Sequence, residues 1–363
     1  MQTPALSRSI PGTAGRIAAA AGMMALLGGC DWVVMNPAGD IAVQQRDLVI
    51  IATVLMLLIV VPVLALVGIF AWKYRHTNED ATYDPDWDHS TMLELLIWSA
   101  PLLIIICLGA VTWTSTHLLD PYRPIERTAP GRPVAKGVEP LEVQVVSLDW
   151  KWLFIYPQYG FATVNELAAP VDRPIRFRLT SSSVMNAFYV PTLAGMIYTM
   201  PSMETKLHAV INKPGDYAGF SSNYSGAGFS GMRFRFHGMT DANFARWVAG
   251  NRRSGATLDR ARYIALEKPS ENVPVMRFGR VDPQLFYAAV NQCVRPGTTC
   301  MADMMHMDAG DTARMKHRPN TGAPQQDTPQ EPLTSAGAGK APPRDPTEVD
   351  QRSNASPSNP NTL

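Results

Sequence analysis

The side chains able to do chemistry are few and unevenly placed. Four cysteines (Cys30, Cys107, Cys293 and Cys300) are too scattered for a disulfide scaffold. None forms a CxxC pair, which excludes a zinc ribbon or a thioredoxin-like redox motif. Cys30 follows Leu27-Gly28-Gly29 and closes a stretch that carries Arg8 and Arg16 and then the small, apolar residues 17–27. This is the three-part pattern of a bacterial export signal, and a small pair before cysteine is what a lipoprotein signal peptidase accepts. Cys30 is therefore expected to be the acylated first residue of the mature chain; cleavage elsewhere, with Cys30 an incidental thiol, is the plainer reading. Between Leu118 and Gln292 there is no cysteine, and His208 and His237 are the only histidines. A blue-copper site needs one thiolate and two imidazoles, so this stretch cannot build one. Both histidines read as surface or packed residues.

Further along, Cys293 and Cys300 can close a disulfide, with Pro296-Gly297 helping the turn. Met301, Met304, Met305, His306 and Met307 offer soft donors to passing copper, against the simpler reading of a flexible segment. Glu94 stands at the edge of an apolar run, where an ionisable group is costly unless hydrated, paired or functional. Its bland reading is a carboxylate favoured by a helix N-terminus. Cys107, in the middle of the same run, reads as a small apolar residue.

The elements that must carry these groups follow from composition and pattern. Charged residues are 17% and AVILMFWYC 46%, a deficit of charge that points to lipid contact. A formal charge of +1 implies no polybasic surface large enough to hold nucleic acid by counterion release. Leu48 to Trp72 is an uncharged run of 25 residues, more than the ~20 that cross a bilayer, and Leu95 to Thr116 is a second run of 22. Trp72, Tyr74, Trp98 and Trp113 lie near the ends, at headgroup level. The signal delivers Cys30 outside, so the first span runs inward, the second returns, and everything after about His117 is periplasmic. Lys73 and Arg75 at the inner end agree with the positive-inside rule, although Arg46 lies outside.

From Leu141 the pattern changes to short alternating segments, among them Leu141–Val146, Pro174–Leu179, Thr205–Ile211 and Gly231–Phe236. Alternation at this spacing predicts an antiparallel β-sandwich over about Leu141 to His237. Helices are expected after the Thr240-Asp241 cap over Asn243–Val248, over Thr257–Glu267, and from Pro283 to Asn291 behind Asp282. Nine prolines from Asp308 to Leu363, and no Phe, Tyr or Trp after Tyr287, predict a disordered tail. The expected organisation is a signal over residues 1–29, an outer segment over 30–47, spans over 48–72 and 92–117 around a cytoplasmic loop at 73–91, a sandwich over 118–237, a helical extension over 238–292 and a Met/Pro-rich disordered tail over 293–363. The fold class is membrane-anchored α+β: an antiparallel pair of spanning helices, then a periplasmic sandwich with short C-terminal helices.

Two spans before an exported sandwich resemble subunit II of the haem-copper respiratory oxidases. Three stretches sharpen the likeness: Leu148–Tyr156, Ser183–Pro191 and Ser221–Met232. They are similar to subunit II of cytochrome o (bo-type) ubiquinol oxidases, from the cysteine at the signal to about Gln292. The resemblance implies that the sandwich is a cupredoxin. In the cytochrome c oxidase branch that fold holds two coppers, on a first His and a later C-x-E-x-C-x-x-x-H-x-x-M motif. Here Asn186 stands at the first position, and Ser221, Asn223, Ser225, Phe229 and Met232 stand along the second. Copper of this kind requires thiolates and imidazoles, and only the thioether remains.

The resemblance therefore implies a subunit without cofactor of its own. Its partners would be oxidase subunit I, other subunits of the complex and the bilayer, with no nucleic acid. Subunit I would bind the haems, a further copper and ubiquinol, and reduce dioxygen to water while protons cross the bacterial inner membrane. In this family a glutamate matching Glu94 lies at the cytoplasmic mouth of a proton-uptake path. Trp150 and Trp152 flank Lys151 at alternate positions, so both rings are expected on one side, and with no copper beneath them their expected role is packing. The rival readings are a stand-alone membrane lipoprotein that binds or assembles proteins, and a copper-bearing cytochrome c oxidase subunit II.

Overall fold

The computed structural model describes residues 32–82 and 85–307. The signal, Cys30 and the tail from residue 308 onward lie outside the described residues. Two helices are long and apolar enough to cross a membrane, α1 (Asp40–Lys73) and α2 (Thr91–Leu118). α1 starts eight residues before the uncharged run, because Asp40 in its first turn suits the positive end of the helix dipole. Its 34 residues extend about 51 Å, so the opening turns, with Gln44, Gln45, Arg46 and Asp47, stand clear of a ~30 Å hydrocarbon core. Pro62 and Pro101 are accommodated inside the helices.

After a small hairpin, β1 (Arg127–Ala129) and β2 (Arg132–Pro133), the sandwich begins. Its strands are β3 (Leu141–Leu148), β4 (Lys151–Tyr156), β5 (Phe161–Val164), β6 (Glu166–Pro170), β7 (Ile175–Ser181), β8 (Asn186–Tyr189), β9 (Ile197–Thr199), β10 (Thr205–Ala209), β11 (Gly215–Ser221) and β12 (Arg233–Met239). Then come α3 (Asp241–Arg252), β13 (Thr257–Leu258), α4 (Arg260–Glu267), β14 (Met276–Phe278), β15 (Arg280–Val281) and α5 (Leu285–Val290). One sheet runs β10-β7-β3-β4-β5-β14 and the other β6-β12-β11-β8-β9. Most pairs are antiparallel, but β3 with β7 and β6 with β12 are parallel. The chain makes these pairings by crossing between sheets, which alternation within a single strand does not encode.

Aromatic rings fill the space between the sheets. Phe188 stacks on Phe234 at 5.3 Å between centroids and meets the edge of Trp152 at 5.5 Å. A second apolar cluster covers the opposite face of the six-stranded sheet, where Leu148, Leu153 and Ile155 meet Tyr263, Leu285 and Phe286 of the extension. That cover explains why β4 is buried at every position and does not alternate.

The extension is thus woven into the domain. Thr240 caps α3 by accepting from the Asn243 amide. Over Thr257–Glu267 the expected helix is shorter than the pattern predicts. Thr257–Leu258 pairs with β15, and Asp259 then caps α4 through the Arg262 amide at 2.8 Å. Asp282 likewise accepts from the Gln284 amide at 2.9 Å, and α5 follows only from Leu285. Cys293 and Cys300 are disulfide-bonded, with Cα atoms 4.8 Å apart. Residues 301–307 are helical, a departure from the disordered tail expected from 293. Asn291 holds their start, its carbonyl accepting from Met301 N at 3.0 Å and its side chain from Ala302 N at 3.3 Å.

The join between helices and sandwich is made by the residues just before α1. Ala38 is 4% exposed and belongs to the sandwich core. The amides of Ala38 and Gly39 both donate to the Thr192 carbonyl at 2.9 Å, and Asn212 N donates to the Ala38 carbonyl at 2.8 Å. Gly39 has no room for a side chain, since a Cβ there would lie 2.4 Å from the Val210 carbonyl oxygen.

Candidate functional site

Of the six positions that the resemblance matches to copper ligands, Asn186 and Ser221 meet where β8 starts and β11 ends. Ser221 ends β11 opposite Phe188 of β8, which places it beside Asn186. Asn186 is 1% exposed, Ser221 3% and Met232 1%. Ser221 Oγ donates toward Asn186 Oδ1 at 3.1 Å and lies 3.2 Å from the Asn223 carbonyl, while Ala187 N donates to the same hydroxyl at 3.4 Å. Ser221 N donates to the Met232 carbonyl at 3.2 Å, so three of the six positions meet in the interior. The polar pair satisfies itself: an amide oxygen takes the proton a hydroxyl offers, at the cost of no unpaired charge.

The other three positions line the loop above. Asn223 Nδ2 donates to the Met185 carbonyl at 3.0 Å. The Ser225 carbonyl accepts from Trp150 Nε1 at 3.0 Å, whereas Ser225 Oγ is buried without a partner among the described residues. Phe229 opens a 3-10 turn over Phe229–Gly231 and meets the Tyr224 ring edge-on at 5.6 Å. The loop rests on Trp150 so closely that a Cβ at Gly228 would lie 2.5 Å from its ring.

Trp150 itself departs from the sequence expectation. Its φ of 64° puts it in the turn between β3 and β4, not at an alternate strand position. Its ring covers the 225–228 loop, while Trp152 points into the core and is fully buried. The intervening Lys151 is 1% exposed and donates to the carbonyls of Asp149 at 2.9 Å and Lys268 at 3.0 Å. Burial lowers its pKa, opposed by Asp149.

The two histidines have separate settings. His208 Nδ1 lies 3.1 Å from the Pro121 carbonyl, and burial lowers its pKa despite that bond. His237 sits between Glu166, with Nε2 to Oε1 at 3.5 Å, and Asp216, and these bonds raise its pKa, the Glu166 one most. Arg277 of β14 donates to Glu166 through Nε at 2.9 Å and Nη2 at 3.0 Å. Burial alone would raise the Glu166 carboxyl; the bonds and charges of His237 and Arg277 outweigh it and hold the carboxyl at about 2. This cluster ties the extension to both sheets, and nothing in the spacing of its members announces it.

Glu94 lies in the first turn of α2 and is exposed, with its amide donating to Ser90 O at 2.9 Å. Cys107 is an exposed free thiol on the same helix. Among the described residues no group of three or more His, Cys, Asp or Glu side chains is placed to hold a metal.

Comparison with known proteins agrees with this architecture. The family model of the periplasmic domain of cytochrome c oxidase subunit II matches residues 158–237, and that of the COX aromatic rich motif matches residues 252–297. Cytochrome bo(3) ubiquinol oxidase subunit 2 of Pseudomonas putida is 48% identical over 269 residues, covering 74% of this chain and 83% of the relative. The Pseudomonas aeruginosa protein of the same name is 50% identical over 261 residues, with 72% and 76% covered. Ubiquinol oxidase subunit 2 of Acetobacter aceti is 46% identical over 265 residues, with 73% and 84% covered. With two apolar helices leading into this sandwich and its aromatic extension, the chain belongs to the haem-copper oxidase subunit II family, in its ubiquinol oxidase branch.

Proposed function

We infer that this subunit carries no electrons of its own and that its sandwich is a copperless cupredoxin within a proton-translocating quinol oxidase. The observation that carries the reading is the Ser221–Asn186 hydrogen bond of 3.1 Å, a neutral pair closed on itself where copper ligands would stand. The donor set does not fit a two-copper centre. Hydroxyl, amide and phenyl groups at 186, 221, 223, 225 and 229 supply neither thiolate nor imidazole, and one buried thioether cannot hold the metal alone. Ubiquinol, named in the relatives, is a bilayer molecule that can reach subunit I without crossing the outer domain. A soluble one-electron donor would need a relay there.

In this reading the sandwich is a structural cap on subunit I, which holds the haems, the remaining copper and the quinol. The chain sits in the bacterial inner membrane, with Cys30 acylated and the sandwich in the periplasm. Glu94, at the far end of α2 from the sandwich, assists proton entry from the cytoplasm. The test is metal content. The purified complex should contain no copper assigned to this chain, and Ser221→Cys with Ser225→Cys should add little, because both imidazoles are still missing. Adding Asn186→His and Phe229→His should bring an intense visible thiolate-to-copper band. A stoichiometric band in the unmodified subunit would overturn the reading.

A further inference from the structure

At the junction of helices and sandwich lies a cavity of about 300 Å³ lined by charges of both signs, including Asp40, Arg123, Glu126 and Arg127. Asp40 is 2% exposed. Its Oδ2 accepts from Arg127 Nε at 3.0 Å and from Gln44 Nε2 at 2.7 Å, while its Oδ1 has no partner among the described residues. A buried carboxylate oxygen left bare is costly; any hydrogen-bond donor would satisfy it, and a donor that also carries positive charge would satisfy it best. Arg123 and Arg127 are 40% and 45% exposed, so they retain N–H groups for an anion. Directly below, an apolar groove of about 450 Å³ runs between α1 and α2 past Leu48, Ile51, Ala110 and Val111. Cavity and groove share Gln44, Leu118 and Leu119, so they adjoin at the ends of the two helices. Together they span the level at which the uncharged runs end, where headgroups meet acyl chains.

We propose that this space holds one phospholipid with a primary-amine headgroup, its ammonium on Asp40, its phosphate on Arg123 and Arg127, and an acyl chain between the helices. The two signs of charge match a zwitterion, whereas an uncharged ring headgroup would hydrogen-bond without neutralising either charge. A choline headgroup fails for a different reason: it has no N–H to give Asp40. An anionic glycerol headgroup would pair with the arginines but offer Asp40 only neutral O–H donors, leaving its buried charge uncompensated.

The full chain, extracted with its partner subunits from vesicles or membranes holding both phosphatidylethanolamine and phosphatidylglycerol, can be washed in mild detergent and its retained lipids counted by mass spectrometry. One phosphatidylethanolamine per chain should survive washing. Ala110→Trp, which fills the groove on an exposed helix face, should lose it, while Ile69→Trp, remote on α1, should keep it. Asp40→Asn should lower the ratio of phosphatidylethanolamine to phosphatidylglycerol at least fivefold. Should Asp40→Asn fail to fold, the Ala110→Trp and Ile69→Trp pair still decides. Equal retention in those two variants, no retained phosphatidylethanolamine in the wild type, or a photo-crosslinker at residue 110 that captures a partner subunit and not lipid would each overturn the proposal.

Discussion

Replacing Glu166 with Gln should destabilise the sandwich by about 1–2 kcal/mol at neutral pH and by far less near pH 2. The perturbation removes a charge that receives two bonds from Arg277 at 2.9 and 3.0 Å and faces His237 at 3.5 Å. A carboxyl held at about 2 in place of its ordinary 4.5 corresponds to roughly 3 kcal/mol at 1.36 kcal/mol per pH unit. Arg277 is 51% exposed, so water screens that side of the pair, and about half of the figure should survive. Because the folded carboxyl titrates below the unfolded one, its contribution is full above about pH 4.5 and drains as pH falls toward 2. His237 runs the other way. Its pKa is raised by Glu166 and then Asp216, so its contribution is full below about 6.5 and is lost as pH rises through the folded value. Thermal unfolding of the detergent-solubilised chain, wild type against Glu166→Gln from pH 2.5 to 8, should show a gap of roughly 3–6 °C at pH 5–6. The gap should narrow markedly at pH 2.5. A gap independent of pH, or none at pH 6, would refute the reasoning.

Gly39→Val should clash with the carbonyls of Val210 and Leu193, 2.4 and 2.8 Å from the new Cβ, and destabilise the join by about 1–3 kcal/mol or more, read as earlier proteolysis between helix and sandwich. Glu94→Gln should leave haem content and assembly intact while slowing oxidase turnover per haem, with Glu94→Asp keeping more activity; equal turnover in all three forms removes Glu94 from proton uptake. Mass spectrometry of the mature N-terminus should find Cys30 acylated, and Cys30→Ala should remain inserted, because acyl chains add little to two spanning helices.

The spans were legible because twenty apolar residues without charge have few other places to go. Strands β3, β7, β10 and β12 were legible from alternation; the absence of cysteine said only that the sandwich has no thiolate, and the matching of positions to copper ligands came from the likeness to the family. What stayed hidden depends on contacts between distant residues. β14 completes the six-stranded sheet from more than a hundred residues away, and no local pattern in Met276–Phe278 says so. Trp150 read as a strand residue because its neighbours alternate; only its left-handed backbone takes it out of the strand. The Ser221–Asn186 pair was visible as two missing ligands but not as one hydrogen bond, since residue types do not reveal which lone pair faces which proton. Nothing in the sequence singles out Asp40; only its burial beside Arg127 does.

Ala38 and Gly39 precede both helices in the chain, yet their partners Thr192, Ile211 and Asn212 follow both. During synthesis the strip that completes the sandwich is therefore made first and must wait while two membrane segments are laid down before its seat exists. The domain's final closure becomes a report on insertion: it can form only if both segments have crossed and left the two ends on the same side. A chain inserted with the wrong number of crossings would leave Ala38 exposed and an apolar slot open near Leu193 and Val210. Closure of the sandwich is thus tied to where the two ends of the helical pair lie.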